Sequence, residues 1–169
     1  MTEFMPAVAS DMPRLMTIVA EAQAYLKRSG VDQWQDGYPE SGKLLSDIES
    51  GRLYKAVCDG ESVGFCALFF GDAEPTYENI YDGAWRSEES YCTIHRMAVS
   101  ARFRGTGAAR FMFSQAEKLC CERALSYIRV DTHQDNIAMQ TLLMSMGYEK
   151  CGIIFIESGA KRIAFDKLL

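Results

Sequence analysis

The sequence has no long hydrophobic run and no excess of positive charge, and each absence excludes a class of partner. Its longest apolar stretch, Val63–Phe70, is far too short to cross a bilayer, so we expect no membrane partner. The net charge of −5 argues against nucleic acid as the main partner. Glu3 and Asp11 precede the first basic residue, which is not typical of a secretion signal. These features predict a cytoplasmic protein.

Metal-binding motifs are also missing. The six cysteines show no CxxC spacing, and neither histidine lies at metal-ligand distance from them in the sequence, so we expect no metal. Several cysteines lie in apolar, strand-like runs, where a thiol packs as a small hydrophobic side chain. We therefore expect reduced structural thiols, as in a reducing compartment.

What the sequence does have is the composition and patterning of one globular domain. With 169 residues, 48% of them hydrophobic, we expect a single domain over residues 1–169. Hydrophobic periodicity predicts helices from Ser10 or Asp11 to Gly30 and over Gly42–Ser50, Gly107–Arg123 and Asn136–Met146. The predicted strands are Glu3–Val8, Leu53–Cys58, Ser62–Phe70, Tyr91–Val99, Tyr127–Thr132, Tyr148–Ile156 and Arg162–Phe165.

The order of these elements predicts a mixed sheet. Asp59-Gly60 between two strands is a strong hairpin signal and indicates antiparallel pairing. The strand–helix–strand succession from Tyr91 to Thr132 indicates one parallel crossover. A long aromatic loop, Gly71–Ser90, joins the predicted strands Ser62–Phe70 and Tyr91–Val99. Loops of that length in compact domains are usually functional or disordered.

Residues 99–113, VSARFRGTGAARFMF, place two cations and a run of small residues where a helix begins. The first amides of a helix have no intrahelical acceptor, and the helix dipole adds partial positive charge there. Arg102 and Arg104 add full charges suited to a phosphate or pyrophosphate. The alternative is that the glycines only permit a tight turn and that the arginines are solvated.

Two well-known phosphate motifs do not account for this segment. The chain has no G-x-x-x-x-G-K-[ST] P-loop. A dinucleotide fingerprint would use Gly105 and Gly107, with Asp131 as the later acid. However, Arg110 occupies the third glycine position, and five residues, 100–104, separate the strand from the first glycine. Dinucleotide binding is therefore the less favoured alternative.

The segment instead resembles the acyl-coenzyme A signature of the GNAT superfamily of N-acyltransferases. That signature, [R/Q]-x-x-G-x-[G/A] after a strand ending in "AV", matches Arg102, Gly105 and Gly107 here. The later stretch HQDNIAMQTLLMSMGYEKCG resembles the family's second signature, an Asn-led helix that begins at Asn136 and closes in Gly147-Tyr148.

The resemblance extends over essentially the whole chain. The predicted element order matches the family's fold. The stretches DQWQDGYP, PTYENIYDGAW and IHRMAV are similar to those of a bacterial subgroup of unassigned substrate. The resemblance implies an α/β fold with a mixed, mostly antiparallel sheet flanked by helices and a splayed central strand pair that holds acyl-coenzyme A.

The resemblance also implies acetyl-coenzyme A as the cosubstrate. Its pantetheine arm would lie beside the Tyr91–Val99 strand, with the N–H of Met97 stabilising the developing oxyanion. The expected cofactor contacts are Met97, Ala98, Val99, Arg102, Phe103, Arg104, Gly105, Thr106, Gly107, Ala108, Ala109 and Asn136. Asn136 is also a good N-cap residue for the helix that it begins.

The implied reaction is direct attack of an amine on a thioester. An alkylamine with a pKa of about 10.4 is mostly protonated at pH 7, so the site needs a base. Strand alternation places His95 on the same face as Met97, which makes His95 the candidate base. Arg96 faces the opposite way, where we expect a structural ion pair. His133 could line the same cleft or lie in a turn with Asp135.

One position departs from the family pattern. Much of the family has a Tyr seven residues after the Asn, where it protonates the departing thiolate, but this chain has Leu143. Ser145, Tyr148 or water could act instead, or the thiolate could leave unaided. The same departure motivates a second hypothesis, a non-catalytic acyl-coenzyme A sensor or binding module.

The predicted loops contain aromatic residues mixed with acids, a composition that suits a cationic amine acceptor. The candidate acceptor contacts are Trp34, Tyr38, Tyr77, Tyr81 and Trp85. The alternative is that these rings pin the loops to the core. The sequence leaves the acceptor, the acyl length and the oligomeric state open, with a homodimer as one option.

Overall fold

The computed structural model describes residues 2–169 and confirms the predicted element order. The strands are β1 Thr2–Pro6, β2 Leu53–Cys58, β3 Glu61–Phe70, β4 Cys92–Val99, β5 Tyr127–His133, β6 Glu149–Phe155 and β7 Lys161–Leu168. The helices are α1 Met12–Arg28, α2 Ser41–Glu49, α3 Ala108–Glu122 and α4 Ile137–Ser145. Three short 3₁₀ turns cover Ala9–Asp11, Pro75–Tyr77 and Ala101–Phe103.

The strands form a seven-stranded mixed sheet in the order β1-β2-β3-β4-β5-β7-β6. β1 pairs with β2, β2 with β3, β5 with β7 and β6 with β7, all antiparallel. β4 and β5, the strands joined through α3, pair in parallel through Cys92–Ile128 and Thr93–Arg129. The predicted mixed, mostly antiparallel sheet flanked by helices is therefore confirmed.

The predicted hairpin between β2 and β3 is present. Asp59 and Gly60 have φ of +50° and +81°, as the two central residues of a type I′ turn require. Since aspartate tolerates and glycine favours positive φ, the Asp-Gly pair sets this connection locally.

The chain forms two compact units, and it passes from one to the other inside β3, inside β4 and inside α3. The first unit comprises the residues up to Leu68 together with His95–Ala116. In it, α1 buries one apolar face, and a second cluster centres on Ala56, Val63 and Met112. The residues that α1 buries recur at helical spacing: Leu15, Ile18, Val19, Ala22 and Leu26.

The second unit comprises Phe69–Ile94 and Glu117–Leu169. Its core includes a cluster of Tyr77, Ile154 and Ala164, against which Trp85 and Tyr91 pack. The long loop before β4 is thus anchored from within by its own aromatic residues, as hydrophobic packing predicts for a loop of this composition.

The six cysteines are free thiols, as expected. Cys66 and Cys92 are fully buried, and burial raises the pKa of the Cys66 thiol, which disfavours the reactive thiolate. Among residues 2–169, no helix is both long enough and apolar enough to span a membrane.

Candidate functional site

The turn that follows β4 is fastened to its neighbours within the first unit. The N–H of Ser100 donates to the carbonyl of Val63 at 2.8 Å, which keeps the end of β4 beside β3. The N–H of Ala101 donates to the Glu21 carboxylate on α1 at 2.6 Å. The turn at Ala101–Phe103 is therefore held by both a strand and a helix.

Arg14 adds a second set of contacts from α1. Its Nη2 donates to Oγ of Ser100 and to Oε1 of Glu61, both at 3.0 Å, and its Nε donates to the carbonyl of Ser62 at 3.1 Å. Arg14 thus ties α1 to β3 and to the turn. Arg14 was not predicted as a site residue, because these partners lie 47 to 86 residues away and leave no local signal.

Glu21 is ionised where it caps this turn. Its partial burial tends to raise the carboxyl pKa, but the Ala101 N–H, the Ser100 hydroxyl and the charges of Arg14 and Arg104 together hold the pKa below its ordinary value. An anionic acceptor forms a stronger hydrogen bond to a backbone N–H than a neutral one does, so the charge fixes the turn.

The predicted small-residue segment leaves its backbone open. Gly105 and Gly107 have φ of +77° and +93°, and a Cβ added at either residue would have no heavy atom within 4 Å. The first bond of the α3 ladder runs from Phe111 N–H to Gly107 O at 2.9 Å. The N–H groups of Ala108 and Ala109 therefore precede the ladder, as at any helix start. Open space beside such donors fits an anion.

The two arginines of this segment take different positions. Arg102 is largely exposed, with Nη1 3.5 Å from Oε2 of Glu61. Arg104 instead points back to α1, where its Nη2 donates to the carbonyl of Glu21 at 2.9 Å and its guanidinium lies 4.5 Å from the ring centroid of Tyr25. Arg102 is thus the more accessible of the two charges.

Strand β4 is irregular at its centre. Arg96 has φ of +53°, outside the extended region, so the period-two alternation is interrupted between His95 and Met97. The expectation that these two side chains share a face therefore loses its geometric basis. Met97 packs on the first unit's cluster with Val63 and Met112, and His95 is half-buried.

The ion pair expected at Arg96 is confirmed. Its Nε and Nη2 donate to the two carboxylate oxygens of Asp47 on α2 at 2.7 and 3.0 Å, and its Nη1 donates to the Tyr38 hydroxyl at 2.9 Å. Tyr38 also makes an edge contact with Trp34, with ring centroids 6.3 Å apart. Trp34, Tyr38, His95 and the turn after β4 thus all belong to the first unit.

Two other predicted residues lie in the second unit. His133 is buried, and its Nδ1 accepts the N–H of Asp135 at 3.1 Å, so it occupies the turn that the sequence analysis gave as one alternative. Asn136 caps α4, because its Oδ1 accepts the N–H of Met139 at 3.2 Å. The N-cap prediction for Asn136 is confirmed.

Leu143 stands where much of the family has a tyrosine, and Ser145 and Tyr148 are the alternative proton donors for the departing thiolate. Leu143 is fully buried. The Ser145 hydroxyl donates to the carbonyl of Leu142 at 2.7 Å. Burial, and then the nearby Glu117 carboxylate, raise the pKa of the Tyr148 hydroxyl well above 10. Tyr148 is therefore a weaker acid than an ordinary tyrosine.

The aromatic residues of the long loop serve different roles. Tyr77 is buried, and its hydroxyl donates to Oδ1 of Asp131 at 2.7 Å. Trp85 donates through Nε1 to the carbonyl of Tyr77 at 2.9 Å. Tyr81 is 51% exposed and makes an edge contact with Phe155. Tyr77 and Trp85 thus stabilise the loop, and Tyr81 is the ring of the three that solvent reaches most.

The cation that Trp85 faces belongs to the protein itself. The guanidinium of Arg129 on β5 lies 4.5 Å from the ring centroid of Trp85 and 4.2 Å from that of Tyr91. Its Nη2 also donates to the carbonyl of Ser87 at 2.7 Å. The sequence predicted an acceptor amine at these aromatic residues, whereas the cation over the Trp85 ring is Arg129 of the protein itself.

Comparisons with known proteins agree with this architecture. The sequence model of the acetyltransferase (GNAT) family matches residues 18–148. A Bacillus subtilis (strain 168) protein, described as the uncharacterized N-acetyltransferase YesJ, is 28% identical over 153 residues, covering 87% of this chain and 81% of that one.

Solved structures extend the likeness to the whole fold. A GNAT-family acetyltransferase from Streptococcus agalactiae 2603 is 33% identical with a TM-score of 0.89, covering 99% of this chain and 95% of that chain. The PaiA N-acetyltransferase from Thermoplasma acidophilum, crystallised in complex with coenzyme A, is 14% identical with a TM-score of 0.74, covering 100% and 99% of the two chains. At that identity the second comparison shows a common fold.

Proposed function

The chain belongs to the acetyltransferase (GNAT) family, and we propose that it moves an acetyl group from acetyl-coenzyme A to a primary amine. The acceptor would be a small molecule or peptide, and attack would be direct, within a ternary complex. One domain over residues 1–169 would carry the activity.

The open turn at Gly105 and Gly107 is the observation that carries this proposal. A Cβ added at either glycine would meet no heavy atom within 4 Å, which leaves room for an anion beside the helix-start N–H groups. Contacts from Glu21 and Arg14 fix the approach to it. We infer that the diphosphate of coenzyme A is held within the segment Arg104–Ala109. The N–H groups of Gly105, Gly107, Ala108 and Ala109 would bind it, because those of Arg104 and Thr106 already donate to backbone carbonyls at 3.4 Å. Arg102 is exposed and would add its charge from outside. The coenzyme A complex of the Thermoplasma protein supports this assignment at the level of the fold.

The residues of β4 would carry the chemistry. Bound acetyl-coenzyme A supplies the activated acyl carbon. The Met97 N–H would donate to the oxygen on which negative charge develops, which is the usual device for acyl transfer. His95 would accept the proton that the amine nitrogen loses as the new N–C bond forms, directly or through water. The C–S bond breaks in the same reaction, and the sulfur leaves with its electron pair.

Proton return to that sulfur needs no dedicated side chain. Leu143 cannot donate, and Tyr148 is a poor donor because burial raises the pKa of its hydroxyl. A thiol pKa of about 8.5 makes the thiolate a fair leaving group that can take its proton from water. We propose that the thiolate departs without side-chain assistance.

We divide the predicted acceptor residues into two groups. Trp85 faces Arg129 and Tyr77 is buried, so we assign both to support of the long loop. Trp34, Tyr38 and Tyr81 stay as candidate acceptor contacts, because the face of an aromatic ring attracts an ammonium group.

A thiol-release assay with a panel of amines tests this function. The panel should include an aminoglycoside, a polyamine, amino acids and short peptides, with coenzyme A binding measured in parallel by calorimetry. We expect thiol release with at least one amine. Tight coenzyme A binding without turnover on the whole panel would favour the non-catalytic sensor that buried Leu143 suggests. If the protein shows no coenzyme A binding and no thiol release, both the acetyltransferase and the sensor are rejected. If NAD(P) raises the melting temperature and coenzyme A does not, the dinucleotide alternative is favoured.

A further inference from the structure

Arg96 adopts a backbone conformation that its side chain disfavours. Its φ of +53° lies in the left-handed region, which non-glycine residues with long side chains rarely enter. Such a conformation persists only where the surrounding structure over-determines it, and it is found most often near functional sites. The contacts of Arg96 should therefore be strong enough to impose it.

The guanidinium of Arg96 is held from two sides inside the first unit. Asp47 on α2 binds it with both carboxylate oxygens, and the two side chains are only 5% and 3% exposed. The Tyr38 hydroxyl accepts a third hydrogen bond at 2.9 Å, and Gln23 on α1 fixes Tyr38 in turn by donating to its carbonyl at 3.0 Å. A bidentate pair sets the orientation of the fork as well as its position.

The backbone of Arg96 connects the two residues that the proposed mechanism uses. His95 precedes it and Met97 follows it, so the φ and ψ of Arg96 set the direction of the Met97 N–H relative to the His95 side chain. Rotation of Arg96 to extended values would re-aim that N–H.

We propose that Asp47, Arg96 and Tyr38 form a positioning clamp, which holds Arg96 in the left-handed conformation and thereby aims the Met97 N–H and His95 at the reacting thioester. This inference rests on the proposed function. The three residues are positioning residues, because they act through the β4 backbone.

Two substitutions at one position separate the clamp from an ordinary ion pair. Arg96→Ala and Arg96→Gly both remove the guanidinium and leave Asp47 equally unpaired. Glycine adopts positive φ without strain and alanine does not, so glycine is the better residue if position 96 must be left-handed. If position 96 were ordinary extended strand, alanine would be the better residue. We expect Arg96→Gly to keep a kcat about tenfold above that of Arg96→Ala, with KM for acetyl-coenzyme A within about twofold of wild type in both. Equal kcat values, or a higher one for alanine, would overturn the clamp.

A second variant covers the case in which both of these fail to fold. Asp47→Asn keeps the shape of the carboxylate and removes its charge. Its crystal structure should show Arg96 outside the positive-φ region. Its kcat, expressed per coenzyme A-binding site, should fall about tenfold. Retention of positive φ together with wild-type kcat would contradict the proposal. Asp11→Asn is the control, since it breaks the Lys55–Asp11 pair of 2.6 Å in the same unit and should leave kcat unchanged.

The two proposals fail in different ways. If the wild-type protein neither binds coenzyme A nor releases thiol, the proposed function fails, but the φ of residue 96 in Asp47→Asn still decides whether the clamp holds the backbone. If the wild-type protein is active and Asp47→Asn keeps both its kcat and the left-handed Arg96, only the clamp fails.

Discussion

Glu21 on α1 accepts the N–H of Ala101 at 2.6 Å, although the two residues are 80 apart in the chain. This bond joins the first long helix to the turn whose open backbone is the candidate anion site. Arg14 on α1 makes a second connection, through its hydrogen bonds to Ser100 and to Ser62. The turn is therefore prearranged by tertiary contacts and not by its glycines alone.

Glu21→Gln should make stability less dependent on pH in the acid range. The folded-state pKa of Glu21 lies below its ordinary 4.5, because the Ala101 N–H and nearby charges outweigh the effect of burial. The carboxylate therefore contributes stability above pH 4.5 and loses it as pH falls through the lowered value. We expect the unfolding free energy of wild type, measured with urea, to exceed that of Glu21→Gln by about 0.5–1 kcal/mol at pH 7 and by less near pH 3. A difference that stays constant over this range would contradict the assignment.

Gly64→Ala should destabilise the first unit. A Cβ at Gly64 would lie 2.8 Å from the carbonyl oxygen of Ala98 on β4 and 2.9 Å from Cε of Met112. The Met112 side chain can move, but the Ala98 backbone cannot, so we expect a loss of about 1–3 kcal/mol in unfolding free energy. Gly42→Ala is the matched control, since its Cβ meets no atom within 4 Å, and it should change stability by up to about 1 kcal/mol in the favourable direction. Equal effects of the two substitutions would refute the close contact.

Trp85→Leu should loosen the long loop before β4. The substitution removes the ring over Arg129 and the hydrogen bond to the Tyr77 carbonyl. We expect a loss of about 2 kcal/mol and faster cleavage within residues 71–90 in limited proteolysis. Tyr81→Leu, in the same loop but half exposed, should cost about 1 kcal/mol or less. Similar proteolysis of both variants would count against Trp85 as the anchor.

The elements could be predicted from sequence because their signals are local. Helical spacing in α1, the Asp59-Gly60 turn and the small residues before α3 each specify their own structure within a few residues. The crossover through α3 then fixed the parallel pairing of β4 with β5, since such connections have few alternatives. The spatial order of the strands, including the position of β7 between β5 and β6, was not predicted, because it depends on distant contacts.

The site was harder to predict for the same reason. Nothing near Arg96 in the sequence signals its positive φ, and its carboxylate partner, Asp47, lies 49 residues away. The strand alternation that paired His95 with Met97 therefore rested on an assumption of regular geometry. Likewise, Trp85 was a sound candidate for cation recognition, but sequence could not show that Arg129 lies over its ring.

Substitution of the histidines separates the two candidate bases. A histidine base takes the proton that the amine loses, so its removal should lower kcat/KM. We expect His95→Gln to lower kcat/KM by about 100-fold near neutral pH, consistent with general-base contributions. His133→Gln should keep kcat/KM near the wild-type value, because Nδ1 of His133 already accepts the N–H of Asp135. A loss of this size in His133→Gln alone would transfer the role to His133.

Calorimetric titration of coenzyme A into Gly107→Trp and Gly159→Trp tests the central claim most directly. Both glycines have positive φ, +93° and +80°, and neither has an atom within 4 Å of an added Cβ, so the backbone strain is matched. We predict one-to-one binding to wild type, undiminished binding to Gly159→Trp, and binding at least about 100-fold weaker in Gly107→Trp, because its indole blocks the N–H groups at the start of α3. Wild-type affinity in a folded Gly107→Trp would contradict the account.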